Sequence, residues 1–403
     1  MRLVMTLKVR DEADIISDNM RFHRAMGVDF FVITDNGSVD GTSEILERYV
    51  AAGLAHVIQE PTSGLRSNEM DWTTRMARMA ASEYGADWVF NNDADEFWWP
   101  LTGTIKDALA SIPEKYGGVV SPRAEYVARP DGPGSFAERL VVREARSNLQ
   151  PKVAHRGDPD VVVLSNTHEV ASAGGGDLFE ALRPPGRVVH RGVRGADDDE
   201  EAGLGIEEMR LVWAPTHPLR IFHFPLRSYE QFKKRTEIFL HHGGFRDTGR
   251  FRRLRVAYEE GRLDEIYSGL IWDDAAVEEG IREGKLVRDD RLAKLLPRCP
   301  DPLSGAPAGS VPVELDPDAL ERERAEVELD TLRLMARTQR FHMVQLERSR
   351  QRIDELHAAN KELRSKLGRT LGRRLLKLTR RRRRAEQELE PAAADGTQPT
   401  DAE

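Results

Sequence analysis

A doubly wound α/β sheet is the fold that the first hundred residues predict, on three observations. Short apolar runs rich in β-branched and aromatic residues recur, as in Val28 to Thr34 and Trp88-Val89-Phe90, and such runs read as strands buried on both faces of a parallel sheet. Stretches with apolar residues at helical spacing separate them. Polar clusters follow the strands at residues 10–12, 35–42 and 91–96, where open α/β sheets bind their ligands.

Taken in order, residues 2 to 9 form the first strand. A helix follows over Glu12 to Met26, because Ile15, Ile16, Met20, Phe22 and Met26 share a face and Gly27 supplies the stop. Val28 to Thr34 is the second strand, residues 35–42 a turn-rich loop, and the next helix begins near Ser43. Ala55 to Ile58 is the third strand, Asn68 to Tyr84 an amphipathic helix, and the Trp88 strand comes fourth. Beyond residue 100 the pattern loosens: a short helix over Thr104 to Ile112, a strand at Gly118 to Val120, and an irregular stretch from Ala128 to Gln150. Apolar stretches at 149–154, 161–164 and 187–190 flank segments 173–186 and 195–205, which read as lids or insertions. Ile221 and Phe222 form a strand ending on His223, and Ser228 caps a helix carrying Phe232 and several basic residues.

The chain has 403 residues, a net charge of −8 and one cysteine, Cys299. Intrachain disulfides are excluded, so a reducing cytoplasm is the expected location. No apolar run approaches the ~18 residues of a membrane span, which leaves peripheral contact as the expected mode of membrane binding. The overall charge gives no reason to expect nucleic acid as a partner.

Asp93 and Asp95 carry the first chemical signal. On an extended segment alternate carboxylates point the same way, and two hard oxygen donors can hold Mg²⁺ or Mn²⁺ while leaving coordination positions for phosphate oxygens. Alone, such a pair is as readily explained by turn aspartates. His168 beside Glu169 is a candidate general base for an attacking hydroxyl; a strand-end pair making ordinary hydrogen bonds is the plainer alternative.

Three motifs in this order, Met5-Thr6-Leu7 leading to Arg10-Asp11-Glu12, Thr34 to Thr42, and Asn92-Asp93-Ala94-Asp95-Glu96-Phe97, resemble family 2-like glycosyltransferases with a GT-A fold. The nearest likeness is to the bacterial branch related to the glycosyltransferase 92 group, over roughly residues 1 to 240. The resemblance implies a GT-A type doubly wound mixed sheet and a site for a nucleoside diphosphate sugar of UDP or dTDP type. It implies that Thr6, Arg10, Glu12, Asp35, Asn36, Gly37, Asp93, Lys152, Arg227 and Lys234 bind the donor. Asp35 would accept from the base imide, a task suited to an acceptor-only carboxylate. Arg227 and Lys234 would face the diphosphate. His223 would complete a metal site with Asp93 and Asp95, and an imidazole ligand favours Mn²⁺ over Mg²⁺.

The expected organisation is a GT-A domain over 1–240, a helical extension over 241–296, a proline-rich linker over 297–313, a long helix over 314–367, and a basic segment with an acidic disordered tail over 368–403. Leu332, Met335, Leu346, Ile353, Leu356, Asn360, Leu363 and Leu367 follow 3.5-residue spacing, the seam of a coiled coil that would pair two chains. The leucines and arginines of 369–384 suit an anionic membrane surface. The expected activity is metal-dependent, inverting glycosyl transfer to a glycan or lipid-linked acceptor in cell-surface glycan synthesis. Two rivals are an inactive GT-A scaffold working through its coiled coil and a sugar nucleotidyltransferase. The latter would be expected to carry a glycine-rich basic loop after the first strand, which this chain lacks.

Overall fold

The computed structural model describes residues 1–60, 69–114, 116–146, 149–164, 169–172, 217–241, 249–304, 309–334, 336 and 358. His168, the apolar stretch at 187–190, the segments 173–186 and 195–205, most of the expected coiled coil and the whole tail lie outside the described residues.

Strands β1 (Leu3–Val9), β2 (Phe30–Asp35), β3 (Ala55–Gln59) and β4 (Trp88–Asp93) alternate with helices α1 (Ile16–Ala25), α2 (Thr42–Ala51) and α3 (Glu69–Ser82). β1 pairs in parallel with both β2 and β4, and β2 with β3. The strand order therefore reverses at β1, which opens a crevice above its carboxyl end. Next come β5 (Glu96–Pro100), α4 (Ile105–Ala110), β6 (Gly118–Ser121), β7 (Arg123–Glu125), α5 (Phe136–Arg139), β8 (Val142–Glu144) and β9 (Lys152–Arg156). β9 runs antiparallel between β4 and β6, giving a mixed six-stranded sheet in the order β3-β2-β1-β4-β9-β6. β10 (Val161–Leu164) and β11 (Glu169–Ser172) form an antiparallel pair. β12 (Leu219–His223) joins β5 and β7 in a second, three-stranded sheet. Helices α6 (Tyr229–His241), α7 (Gly249–Glu259), α8 (Leu263–Ser268), α9 (Asp274–Arg282) and α10 (Arg291–Leu295) follow, with β13 (Leu286–Arg288) pairing back onto β8. Among the described residues no helix is long and apolar enough to cross a membrane.

α1 starts at Ile16 rather than Glu12, for a reason in the loop. The amides of Asp11, Glu12 and Ala13 donate to Ser38 Oγ, Thr42 Oγ1 and Asp40 Oδ2, so they tie β1 to the β2 loop instead of opening a helix. α1 stops at the expected place, with Gly27 in the left-handed region at φ 100°. The residues 128–150, expected to be irregular, contain α5 and β8. α5 is a single turn closed by the Ser135–Glu138 capping box, a four-residue device too short for periodicity to report. Met1–Gln339 form one compact unit and Arg340–Glu403 a second. Residues 241–313 thus belong to the same unit as the sheet: Val311 and Val313 are core residues, and Val313 bridges Gly103.

Two core histidines set an acid limit on this fold. His23 is fully buried with Nδ1 on the Asn19 carbonyl and Nε2 accepting from the Trp98 amide, and burial pushes its pKa down to about 3. His155 is likewise buried and lowered to about 4. Both are neutral in the folded protein and protonated in the unfolded chain below about 6.5. Stability is therefore complete above that pH and falls as the pH drops toward 4, by up to about 1.4 kcal/mol per pH unit for each histidine. Denaturant melts at pH 7, 6 and 5 should show this fall. Equal midpoints would mean that the two imidazoles are protonated in place.

Candidate active site

The rim of the crevice is built by two loops that hold each other. Asp35, last residue of β2 and wholly buried, accepts from the Ser38 amide at 3.0 Å, Ser38 Oγ at 2.7 Å, Ser43 Oγ at 2.5 Å and Gln59 Nε2 at 3.4 Å. Its carboxylate is spent on folding the loop, which turns through Gly37 at φ 69°. Asp11, itself left-handed at φ 54°, accepts from the Val39 amide at 2.7 Å. Asn36 is buried, and its side-chain oxygen has no hydrogen-bond partner among the described residues.

The Asp93-Ala94-Asp95-Glu96 turn joins β4 to β5 and is anchored from behind. Asn19 Nδ2 donates to the carbonyls of Ala94 and Glu96, and Asn92 donates to Glu96 O while accepting from Trp98 Nε1. These buried amides meet backbone groups that would otherwise be unpaired, so the turn has little freedom.

The two aspartates go separate ways. Asp93 Oδ2 meets the ammonium of Lys152 at 2.6 Å, and Lys152, wholly buried, also contacts Glu96 Oε2 at 2.6 Å. Glu96 in turn pairs with Arg123 at 3.0 Å. Burial works against the charge of Asp93, but Lys152 and Lys8 outweigh it and bring the pKa down to about 2. The Asp93 side chain keeps 39% exposure, so it still presents an edge to the cleft. Asp95, nearly buried, faces His223 Nε2 at 3.6 Å, while His223 Nδ1 meets Glu125 Oε2 at 2.6 Å. Burial alone would lower the His223 pKa; Asp95 and Glu125 together raise it to about 9. Arg235 on α6 stands 4.0 Å from Asp95.

Two carboxylates flank one imidazole, and their charges hold a proton on its ring; a divalent cation bound between Asp95 and His223 would take that proton's place. Glu125 fixes the ring through Nδ1, as carboxylates behind metal-binding histidines do. Among the described residues no three His, Cys, Asp or Glu side chains converge on one point. Of the three expected ligands, Asp95 and His223 are brought face to face, while the Asp93 side chain turns to Lys152. An ion held by one or two carboxylates plus phosphate oxygens is the common pattern for Mg²⁺ and its like.

Other expected residues are placed differently. Thr6 is buried, donating to Asn91 Oδ1 at 2.9 Å, and Lys152 is shut off from solvent; neither can touch a donor directly. Arg227 is buried beneath the first loop, with Nε on Asp14 at 2.7 Å and Nη2 on Glu12 at 2.6 Å. It braces that loop rather than facing a diphosphate, and Glu12 is its partner. Arg10 lies 3.9 Å from Asp11. Lys234 is half-buried on α6. Glu169 opens β11 opposite Leu164, and its side chain lies outside the described residues. Nothing in the sequence singles out Glu125 or Arg235. Alternation along Arg123-Ala124-Glu125, two charges flanking a small residue, was the available sign that one face of β7 is polar.

With this geometry in hand, residues 5–176 match glycosyltransferase family 92. Over that segment the chain is similar to the glycosyltransferases of that family. The match covers about two fifths of the chain and runs from β1 past β11, so it includes Asp93, Asp95 and Glu169 but ends before His223. No curated protein matches the chain. Among solved structures, TarS 1-349 of S. aureus in complex with UDP-GlcNAc is 18% identical, with 39% of this chain and 46% of that chain covered and a TM-score of 0.27. Glucosyl-3-phosphoglycerate synthase from Mycobacterium tuberculosis, in complex with Mn²⁺, UDP-glucose and phosphoglyceric acid, is 18% identical, with 38% and 56% covered and a TM-score of 0.22. The chain therefore spans about half the length of the structures it matches, and at these TM-scores the likeness carries no weight below.

Proposed function

We propose that this glycosyltransferase moves a sugar from a nucleoside diphosphate of UDP or dTDP type to a hydroxyl acceptor, with Mn²⁺ or Mg²⁺ held by Asp95 and His223. The observation that carries the reading is the Asp95–His223–Glu125 arrangement at the mouth of a glycosyltransferase sheet. When bound, the ion neutralises charge on the departing diphosphate. Arg235, 4.0 Å from Asp95, adds a second positive group at that place. Asp93, held by Lys152 with one edge open, is set to accept from a donor hydroxyl. The bond from the anomeric carbon to the diphosphate breaks as the acceptor oxygen bonds to that carbon from the opposite face. Glu169 takes the acceptor proton, with His168 beside it as the other candidate. A single displacement of this kind inverts the anomeric configuration.

The acceptor side of the proposal is a glycan or lipid-linked sugar at the cytoplasmic face of a membrane. The basic segment 369–384 would hold anionic lipid, and residues beyond 334 would pair two chains through the heptad seam. The test is a screen of nucleotide sugars for hydrolysis with Mn²⁺, Mg²⁺ or chelator. Metal-dependent release of UDP or dTDP from one donor is expected; release at the same rate in chelator would overturn the metal assignment. Glu125→Gln should weaken Mn²⁺ binding by about tenfold to a hundredfold, the usual loss when the hydrogen-bond partner of a metal-binding histidine is changed. Calorimetry showing unaltered affinity would take Glu125 out of that role.

A further inference from the structure

The sequence assigns residues 314–367 to a coiled coil, yet the start of that helix is occupied elsewhere. Asp316 caps it by accepting from the Ala319 amide at 2.9 Å, with Pro317 as the first helical residue. Over 317–334 it turns Glu323, Val327, Asp330, Thr331 and Leu334 into the protein, while Leu329 and Leu332 stay exposed. The buried face is therefore half ionic.

Its carboxylates complete a closed ring of charges. Asp289 meets Arg143 at 2.9 Å; Arg143 meets Glu326 at 2.9 Å; Glu326 meets Arg220 at 2.9 Å. Arg220 lies 3.4 Å from Glu323, Glu323 lies 3.1 Å from Arg291, and Arg291 returns to Asp289 at 2.5 Å. Asp330 adds a further contact to Arg220 at 3.7 Å. Arg143 and Arg220 are almost wholly buried. Without the helix, Arg143 and Arg291 would share Asp289, and Arg220 would lose Glu323, Glu326 and Asp330; stripping partners from a buried charge is strongly destabilising.

The ring bears on the site through one strand. Arg220 and Phe222 lie on one face of β12, where Arg291 also covers the Phe222 ring at 4.9 Å. His223 lies on the other face, three residues from Arg220, or about 10 Å along an extended strand. β12 is the middle strand of its sheet, and His223 sits in register with Glu96 of β5 and Glu125 of β7. All three strands of that sheet lead into the Asp95–His223–Glu125 arrangement.

We propose that the helix over 317–334 is a clamp on the catalytic sheet and that Arg220 is a positioning residue for His223, so that seating or lifting this helix sets the geometry of the metal pair. The proposal rests on the metal reading above, but its first readout does not. In the full chain, Glu323→Gln, Glu326→Gln and Asp330→Asn together keep the shapes and remove the charges facing Arg220. Hydrogen exchange of the 219–223 amides should then speed up by about tenfold or more, and the Mn²⁺ dissociation constant should rise by about tenfold. Glu326→Gln alone, a milder change for the case in which the triple variant does not fold, should move both in the same direction, and Glu326→Asp should restore most of the difference. Arg220→Gln combined with the triple variant should cost less than the two effects multiplied, because both break the same contacts. Unchanged 219–223 exchange in a folded variant whose 317–334 amides exchange freely would overturn the clamp. Altered exchange in a protein that binds no Mn²⁺ even unsubstituted would keep the clamp and remove the metal reading instead.

Discussion

Converting Asp95 to Asn is expected to abolish transfer and leave the fold standing. The substitution keeps the side-chain shape and removes one charge. That charge is well defended: burial would raise the Asp95 pKa, but His223, Arg235 and Arg227 hold it far below the ordinary carboxylate range. It therefore stays ionised at every pH at which the enzyme would work. An amide in its place gives the cation that would sit against the diphosphate no balancing charge, and losing a preorganised electrostatic group of this kind costs about a hundredfold to a thousandfold in turnover. The stability cost is smaller. His223 owes its raised pKa chiefly to Asp95, so it can release its proton in the variant while Glu125 still holds Nδ1. Single-turnover assays with saturating donor and Mn²⁺ should show the loss beside a melting temperature within a few degrees of the parent. A variant that still transfers at a tenth of the parent rate would mean that the metal pair lies elsewhere.

How much of this was legible in the sequence differs between the backbone and the charges. The strand and helix alternation through β4 was readable because each element buries a long apolar face, and periodicity reports burial. β5 was harder. Glu96-Phe97-Trp98-Trp99-Pro100 is wholly buried, but a run that begins with a charge and ends in proline resembles a loop. Asp95 and His223 were found because their residue types are scarce at strand ends unless something binds them. Their mutual placement was not readable, since β5 and β12 are neighbours in the sheet but more than a hundred residues apart in the chain.

Three expected donor contacts share a physical feature. Lys152, Arg227 and Asp35 read from sequence as ligand contacts because charged residues near a cleft attract a ligand-based explanation. Each is instead satisfied by partners within the protein: Lys152 by Asp93 and Glu96, Arg227 by Glu12 and Asp14, Asp35 by Ser38 and Ser43. A sequence shows which charges exist, but the pairing of charges distant in the chain is a property of the fold. The same holds for the helix over 317–334. Leu332, where the heptad seam begins, suggests a partner chain, while the acids at 323, 326 and 330 that dock the helix onto Arg220 look from sequence like a solvated face.

Arg227→Leu separates the two views of that arginine. If Arg227 braces the first loop, its removal leaves the half-buried Glu12 carboxylate without its cation, and breaking a fully buried pair costs about 3–5 kcal/mol. The lower end applies, because Asp14, 45% exposed, and Glu12, 23% exposed, can both take up water. Glu12 also gives the variant a pH signature. In the parent, burial raises the Glu12 pKa and Arg227 pulls against it, leaving it at about 7. Without Arg227 it rises further. A carboxyl whose folded pKa stands above its unfolded value stabilises the fold when protonated, fully so below the unfolded pKa, and that contribution is lost as the pH climbs through the folded pKa. The variant should therefore melt lower than the parent at pH 6, and the gap should widen at pH 8. Donor affinity, measured by calorimetry at pH 6 where the variant is folded, should change by less than about threefold, a difference under 1 kcal/mol. The opposite pattern, an unchanged melting temperature with donor binding weakened tenfold or more, would show Arg227 reaching the diphosphate, as its position four residues after His223 first suggested.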